Sequence, residues 1–520
     1  MPVLPRFAAR WAALVAVAGG LVGVLAFPRF GIWPAAFISV AALSIAVADR
    51  RSRTGAWLGY LYGLAFLLPL LHWTGVYVGP VPWLVLCIAF AAFFAVLGAV
   101  LTWVQRLPAA PVWIGTAWVL QEFLRDRIPF GGFPWGRLAF SQAGSPLRWF
   151  APLGGAPLVT FVVAIGGGCL ALAVQRWSVK AAVVLVALAV AIPIAGALLK
   201  LPLAPSNARR TLQVALIQGG LPDRGLAFED RARQVLDNHV RLTLQLADEI
   251  RAGKRKQPDI VFWPENASDV NPYADPAAKT EIEQAVKAVN APVLVGAILP
   301  TKNGKYRLNA GILWTPKGGP VDTYFKRHPV PFGEYIPLRS IAEFVSSDAK
   351  LVANDMVAGS GNGLVTGAKV AFGDVICFEV AYDSLVRSSV DAGATFLVVQ
   401  TNNATFGHTA ETYQQLAMSQ FRAVETGREV LQVATTGKSA IIAPDGSIVS
   451  ESGALYSSAI LTGAIAPRTG LTLAVRLGAI PEYVLTAIAL AALVTAIARS
   501  RPRRRDRSEA TQRQEEMVQA

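Results

Sequence analysis

The sequence predicts a polytopic α-helical membrane domain of about eight spans, joined to an extracytoplasmic α/β domain that lies between the last two spans. Three observations predict it. First, 53% of the 520 residues are hydrophobic and only 16% are charged, with mean hydropathy +0.43, whereas ordinary soluble domains carry about 25% charge. Second, the apolar residues come as long runs over roughly the first 200 positions and again near the end, while 211–466 has the mixed composition of a soluble domain. Third, strand-like and helix-like patterns alternate inside that mixed stretch, the mark of an α/β fold.

A membrane helix needs about 20 mostly apolar residues. Such runs fall at roughly 11–27, 32–48, 55–74, 82–104, 111–124, 149–174, 180–199 and 472–498, the fifth being short. The first follows Arg6 and Arg10 like a signal peptide, but no small-residue cleavage site comes after it, so it is read as a retained span. The expected division is a membrane domain over 1–204, a soluble domain over 205–470, a last span over 471–499 and a basic, disordered cytoplasmic tail over 500–520.

Net charge is +14. The cations cluster between spans, which points to membrane topology rather than nucleic-acid binding. Arg6, Arg10, Arg50, Arg51, Arg53, Arg106, Arg176, Lys180, Arg499, Arg501, Arg503, Arg504 and Arg505 all fall on one side of an eight-span chain. That side is the cytoplasm by the positive-inside rule, so the mixed domain faces outward. The loop between spans five and six shares the outer side. Its Arg125, Arg127, Arg137 and Arg148 break the rule and are expected to meet anionic headgroups or the soluble domain.

The soluble stretch reads as strands at "TLQVALIQ", "DIVFWPE", "PVLVGAI", "LNAGILWTP", "VDTYFKRH", "ATFLVVQTNN" and "EVLQVATT". Helices are expected near 229–250, 277–290, 383–391 and 410–426, and "SAIIAPDGSIVS" reads as a hairpin turning at Asp-Gly. "KVAFGDVICFEV" is expected to fold about Gly373 as two strands. On the second of these, alternation points Cys377 and Glu379 to the same side.

Chemistry concentrates at strand ends. "FWPE" ends in Glu265; "YFKRHPVPFGEY" carries Lys326 and Glu334; "ICFEV" carries Cys377, Phe378 and Glu379. Alone, each has an ordinary reading: a solvated carboxylate, a surface lysine, a core thiol. Together they offer a base, a cation and a nucleophile. A thiol with a pKa near 8.5 is only a few per cent ionised at neutral pH. A carboxylate that takes its proton, and an ammonium that stabilises the oxyanion, would activate it. Cys87 and Cys169 lie in spans, which leaves Cys377 without a disulfide partner outside the membrane. No G-x-S-x-G or H-E-x-x-H occurs, the four histidines are scattered, and "GSGNG" at 359–363 reads as a flexible turn.

"FWPE", "YFKRHPVPFGEYIPL" and "GDVICFEV", in that order and about 50–60 residues apart, resemble the Glu, Lys and Cys motifs of the nitrilase, or carbon–nitrogen hydrolase, superfamily. With the spans, "GGFPWGRLAFSQ" and "TNNATFG", nearly the whole chain resembles the apolipoprotein N-acyltransferase family. The resemblance implies an α-β-β-α sandwich, with Glu265 as general base, Lys326 as oxyanion stabiliser, Cys377 as acylated nucleophile, and Glu334 and Glu379 in support. It implies acyl transfer from a glycerophospholipid, through a Cys377 thioester, to the α-amino group of an S-diacylglyceryl-cysteine, in the inner (cytoplasmic) membrane with the site on the periplasmic face. No metal or organic cofactor and no nucleic acid are implied, and a monomer is expected. The alternatives are a membrane-anchored amidase and a non-enzymatic lipid transporter. Two positions depart from the family: Phe378 stands where Tyr is frequent, and an expected Trp is absent near Phe228.

Overall fold

The computed structural model describes residues 8–175, 178–199, 211–221, 231–345, 350, 352, 354–367 and 370–500. Arg6, Arg176, Phe228 and the tail beyond Ser500 lie outside the described residues.

Helices occupy all eight stretches read as spans. They are α1 (Ala9–Leu25), α2 (Ala35–Val47), α3 (Ser52–Leu70), α4 (Pro80–Val104), α5 (Ala110–Arg125), α6 (Ala151–Gln175), α7 (Val179–Leu198) and, after the soluble domain, α14 (Ile480–Ser500). Among the described residues, four helical segments are long and apolar enough to cross a membrane: Pro80–Val104, Pro146–Gln175, Val179–Leu198 and Ile480–Ser500. The fifth stretch, α5, fits a lipid-facing span least, because its 16 residues include buried Glu122 and Arg125. The last stretch is not continuous from 472. The five-residue α13 (Leu473–Leu477) stops at Gly478, whose φ of +59° breaks the helix before α14 begins.

Small residues set how closely the helices pack. Gly55 and Gly59 lie one turn apart on α3 and face Gly98 on α4. A β-carbon at Gly59 would sit 2.1 Å from the Phe94 carbonyl oxygen, and one at Gly98 would sit 2.1 Å from that of Gly55. Backbones that approach this closely gain dispersion contacts, which hold helices together in lipid where apolar burial gives little advantage.

The soluble domain contains two six-stranded sheets among the described residues. The first, in the order β12-β1-β2-β3-β4-β5, uses β1 (Leu212–Gln218), β2 (Ile260–Phe262), β3 (Val293–Pro300), β4 (Arg307–Thr315), β5 (Gly319–Phe325) and β12 (Ala459–Ile465). The second, in the order β11-β10-β9-β8-β7-β6, uses β6 (Leu364–Gly367), β7 (Val370–Ile376), β8 (Leu397–Thr401), β9 (Val430–Ala434), β10 (Ala440–Ile442) and β11 (Ile448–Glu451). Each sheet has two parallel steps at its centre, β1-β2-β3 and β7-β8-β9. Each of these steps crosses over through a helix: α8 (Ala232–Arg251) and α9 (Pro276–Val289) in the first half, α11 (Asp383–Asp391) and α12 (Glu411–Thr426) in the second.

The inner faces of the sheets share one core, including Leu216, Phe262, Leu294, Phe372, Phe396 and Val398. Helices α8 and α9 cover the outer face of the first sheet. Helices α11 and α12 cover the second sheet and belong to a core continuous with the membrane helices. The α-β-β-α order expected from the motifs is therefore present, with one helix layer pressed against the membrane domain.

Two strand readings need correction. "VAFGDVI" is a single strand running straight through Gly373, not two. Glycine is there for contact rather than for turning: a β-carbon would lie 2.5 Å from the Ser389 hydroxyl. The strand also ends at Ile376, four residues short of Val380, to which its apolar pattern runs. Cys377 adopts φ +55° and opens a 3-10 turn, Cys377–Ala381, so alternation does not relate it to Glu379. Strand β12, absent from the sequence reading, pairs antiparallel with β1 and closes the first sheet.

Candidate active site

Glu265 follows the apolar strand β2 by three residues and is 4% exposed. One oxygen accepts from Asn309 Nδ2 at 2.7 Å and Lys326 Nζ at 3.0 Å; the other accepts from the Asn402 backbone N–H at 2.9 Å. Lys326, 1% exposed, is the first residue past β5. Its Nζ also donates to Glu334 at 2.9 Å. Glu334 accepts from Asn309 Nδ2 at 3.0 Å and, with its other oxygen, from the Val330 N–H at 2.7 Å. One ammonium and one amide thus bridge two carboxylates. Burial works against the Lys326 charge, but Glu265 and Glu334 outweigh it and hold the ammonium well above its ordinary range.

Cys377 comes from the other sheet and is partly exposed. Its backbone is left-handed immediately past the end of β7. Non-glycine residues rarely adopt such a conformation, and it concentrates at functional sites. Burial, then the Glu265 carboxylate, push the thiol above its usual range, while Lys326 and a hydrogen bond from Thr401 pull it down. The neutral thiol is thereby favoured at rest, with the Glu265 carboxylate near enough to act on it. Thr401 Oγ1 lies 3.4 Å and Gln415 Nε2 3.6 Å from Sγ. Burial also pushes nearby Glu411 up to about 8, against the hydrogen bond from Asn403.

Glu379 does not share a face with the thiol as expected. It is 1% exposed and accepts from the backbone N–H groups of Arg327, His328 and Ile376 at 2.7, 3.1 and 2.8 Å, and from the Tyr324 hydroxyl at 2.9 Å. It ties the turn after Cys377 to the turn after Lys326, and so links the two sheets. Phe378 points towards the membrane domain. Its ring stacks on Phe133 and Trp135, with centroids 5.6 and 6.1 Å apart. Trp135 and Trp73 both donate their indole N–H to Gln414 of α12, at 2.6 and 3.2 Å. "GSGNG" is a coil pinned beside the site, where the Gly359 N–H donates to the Lys326 carbonyl at 2.8 Å.

The outer-loop arginines divide. Arg137 reaches the soluble domain, 3.0 Å from Asp383, and also pairs with Glu122 and Asp126 at 3.3 Å each. Arg127 pairs with Glu482 of α14 at 2.6 Å. Arg125 donates to the Trp135 carbonyl at 2.9 Å, and Arg148 to that of Ala143 at 3.2 Å. Arg125 and Arg137, 1% and 3% exposed, face protein rather than headgroups. Asn309, Thr401, Asn402 and Gln415 were missed as site residues. "TNNATFG" contained two of them as a motif, but Asn309 and Gln415 look like ordinary strand and helix positions.

A buried carboxylate and ammonium opposite a strained thiol, on two packed sheets, define the carbon–nitrogen hydrolase class. The Carbon-nitrogen hydrolase family model matches residues 214–471. The Apolipoprotein N-acyltransferase N-terminal domain model matches residues 19–169. An apolipoprotein N-acyltransferase of Mycolicibacterium smegmatis is 40% identical over 504 residues, covering 93% of this chain and 84% of that protein. Those of Coxiella burnetii and Vibrio vulnificus are 30% and 27% identical, covering 88% and 91% of this chain and 95% and 94% of theirs. The chain belongs to the apolipoprotein N-acyltransferase family and is an acyltransferase.

Proposed function

We propose that the chain transfers an acyl chain from a glycerophospholipid, through a thioester on Cys377, to the α-amino group of an S-diacylglyceryl-cysteine. The observation that carries this is the Glu265–Lys326–Glu334 cluster facing a thiol at the junction with apolar helices. Glu265 takes the thiol proton as sulfur attacks the ester carbon. The carbon–oxygen bond breaks, and the proton passes to the departing lysophospholipid. The acceptor amine then attacks the thioester and gives its proton to Glu265. The carbon–sulfur bond breaks, and sulfur regains the proton. Lys326 stabilises the oxyanion in both halves, so Lys326→Ala slows both on the order of 10²- to 10³-fold. Glu334 holds Lys326, Glu379 holds the turn, and Phe378 with Phe133 and Trp135 forms an apolar wall suited to an acyl chain.

In this reading the eight helices all cross the inner membrane, both chain ends are cytoplasmic, and the site lies at its periplasmic face, with the chain working as a monomer. Keeping the nucleophile at the bilayer surface spares the acyl chain exposure to water, about 0.8 kcal/mol per methylene. Alkaline phosphatase fused at Gly253 should be active and a fusion at Gln512 inactive. The amidase alternative is disfavoured by the relatives and by the extent of the helical domain. Incubation with phospholipid and a diacylglyceryl lipopeptide should yield an N-acyl lipopeptide. Free fatty acid as the sole product would contradict the assignment.

A further inference from the structure

The sulfur is contacted by two side chains outside the Glu265, Lys326 and Cys377 set, and donor–acceptor accounting fixes how they face it. Gln415 Oε1 accepts from Asn403 Nδ2 at 2.9 Å and lies 2.8 Å from Thr401 Oγ1, whose one hydrogen is shared between this oxygen and Sγ. With Asn403 Nδ2 donating to that oxygen, a turned-over amide would set two N–H groups against each other, so Gln415 Nε2 faces Cys377 Sγ, at 3.6 Å. Asn403 is oriented in turn. Its Nδ2 has two hydrogens, one given to Gln415 and one to Glu411 Oε2 at 2.7 Å. Glu411, Asn403 and Gln415 thus form a chain that ends on Cys377 Sγ, with the Thr401 hydroxyl beside it. Glu411, Asn403, Gln415 and Thr401 are 0–3% exposed, so water does not compete for these bonds.

We propose that Gln415 is a positioning residue for the thiolate, held by Asn403 and Glu411 so that its N–H points at the sulfur. This rests on Cys377 being the acyl carrier. The sulfur carries negative charge twice in the cycle: when its proton leaves before attack, and when the amine expels it from the thioester. A fixed N–H donor favours both moments, since hydrogen bonds strengthen when one partner is ionised. Lys326 serves the carbonyl oxygen and Gln415 serves the sulfur, so the two donors divide the two atoms on which charge appears.

The test uses the full chain in detergent. Alkylation of Cys377 by iodoacetamide is followed against pH by mass spectrometry of its peptide, for the parent and for Gln415→Met, which keeps the length and loses the N–H. Glu265, Lys326 and Glu411 also act on the sulfur and are present in both proteins. The midpoint should rise by about one pH unit in the variant. Single-turnover acylation by a fluorescent phospholipid should slow about tenfold at neutral pH with KM unchanged, a hydrogen bond to a charged group being worth this much or more. An unchanged midpoint in folded Gln415→Met overturns the proposal. Should that variant fail to fold, Asn403→Leu, which frees the Gln415 amide to turn, decides in the same way. Alkylation involves no acyl group, so this result is distinct from failure of the acyl-carrier reading, which would appear as a parent enzyme that never becomes acylated.

Discussion

The two halves of the soluble domain are built alike and used differently. Each is a strand-helix-strand-helix-strand unit with two parallel steps. In the first, α8 buries one face, with Val235, Leu236, His239, Val240, Leu242, Thr243, Leu246 and Ala247 spaced three and four apart. In the second, α12 is buried almost all round, including Glu411, Gln414, Gln415, Ser419, Arg422 and Glu425. Polar groups survive there because they bond in two directions. Gln414 receives two indoles of the membrane domain, and Gln415 faces the Cys377 sulfur. Arg422 donates to the Val380 and Ala381 carbonyls at 2.8 and 2.9 Å and pairs with Asp383 at 2.8 Å and Glu425 at 2.5 Å. A helix layer that would ordinarily meet water has become the joint between the chemistry and the membrane.

Changes on the α12 side and at the site should therefore cost far more than changes on the α8 side. The largest expected effect is at Glu265, which the first half brings to the second half's thiol and which we propose as its base. Glu265→Gln should slow acyl-enzyme formation roughly 10²- to 10⁴-fold, measured by single-turnover acylation with a fluorescent phospholipid. Next comes Arg422→Met, which leaves Asp383 and Glu425 short of a buried partner. Losing one member of a buried pair costs about 3–5 kcal/mol. Thermal unfolding in detergent should show this as a large loss of stability. A small shift would mean that the joint is not tightly packed.

The outer layer has one sensitive point of its own. His239 of α8 is fully buried. Its Nε2 accepts from the Gly219 N–H at 3.1 Å, so Nδ1 carries the proton and donates to Val235 O at 2.7 Å. Burial lowers its pKa from 6.5 to about 4. The folded state therefore favours neutral imidazole. As pH falls below 6.5 the unfolded chain binds the proton first, and stability drops until about pH 4, by on the order of 3 kcal/mol. Unfolding followed between pH 7 and 4 should be less acid-sensitive in His239→Gln. The smallest effect is expected at Arg251, whose ion pair with Asp248 is exposed. Arg251→Ala should change stability by under about 0.5 kcal/mol.

The sequence made different parts of this legible for different reasons. Apolar runs marked all eight helical stretches, because hydropathy over such lengths is hard to mistake. Glu265, Lys326 and Cys377 stood out because each follows an apolar strand within three residues and breaks its pattern. The backbone at Cys377 could not be read, since alternation assumes a strand that in fact stops at Ile376. The burial of α12 was equally hidden. Its polar residues look solvated until the membrane domain is placed against them. The outer-loop arginines misled in part for the same reason: the carboxylates of Asp383 and Glu482 lie hundreds of residues away in sequence.

The account turns on Cys377 as the acyl carrier, next in the chain to Phe378, whose ring reaches the membrane domain. The most direct test is the mass of the Cys377 peptide after the purified protein is incubated with phospholipid, and again after a diacylglyceryl lipopeptide is added. The expected result is one acyl group on Cys377, lost on addition of the lipopeptide with matching N-acyl product, and no adduct in Cys377→Ala. Transfer that persists in Cys377→Ala would contradict the account.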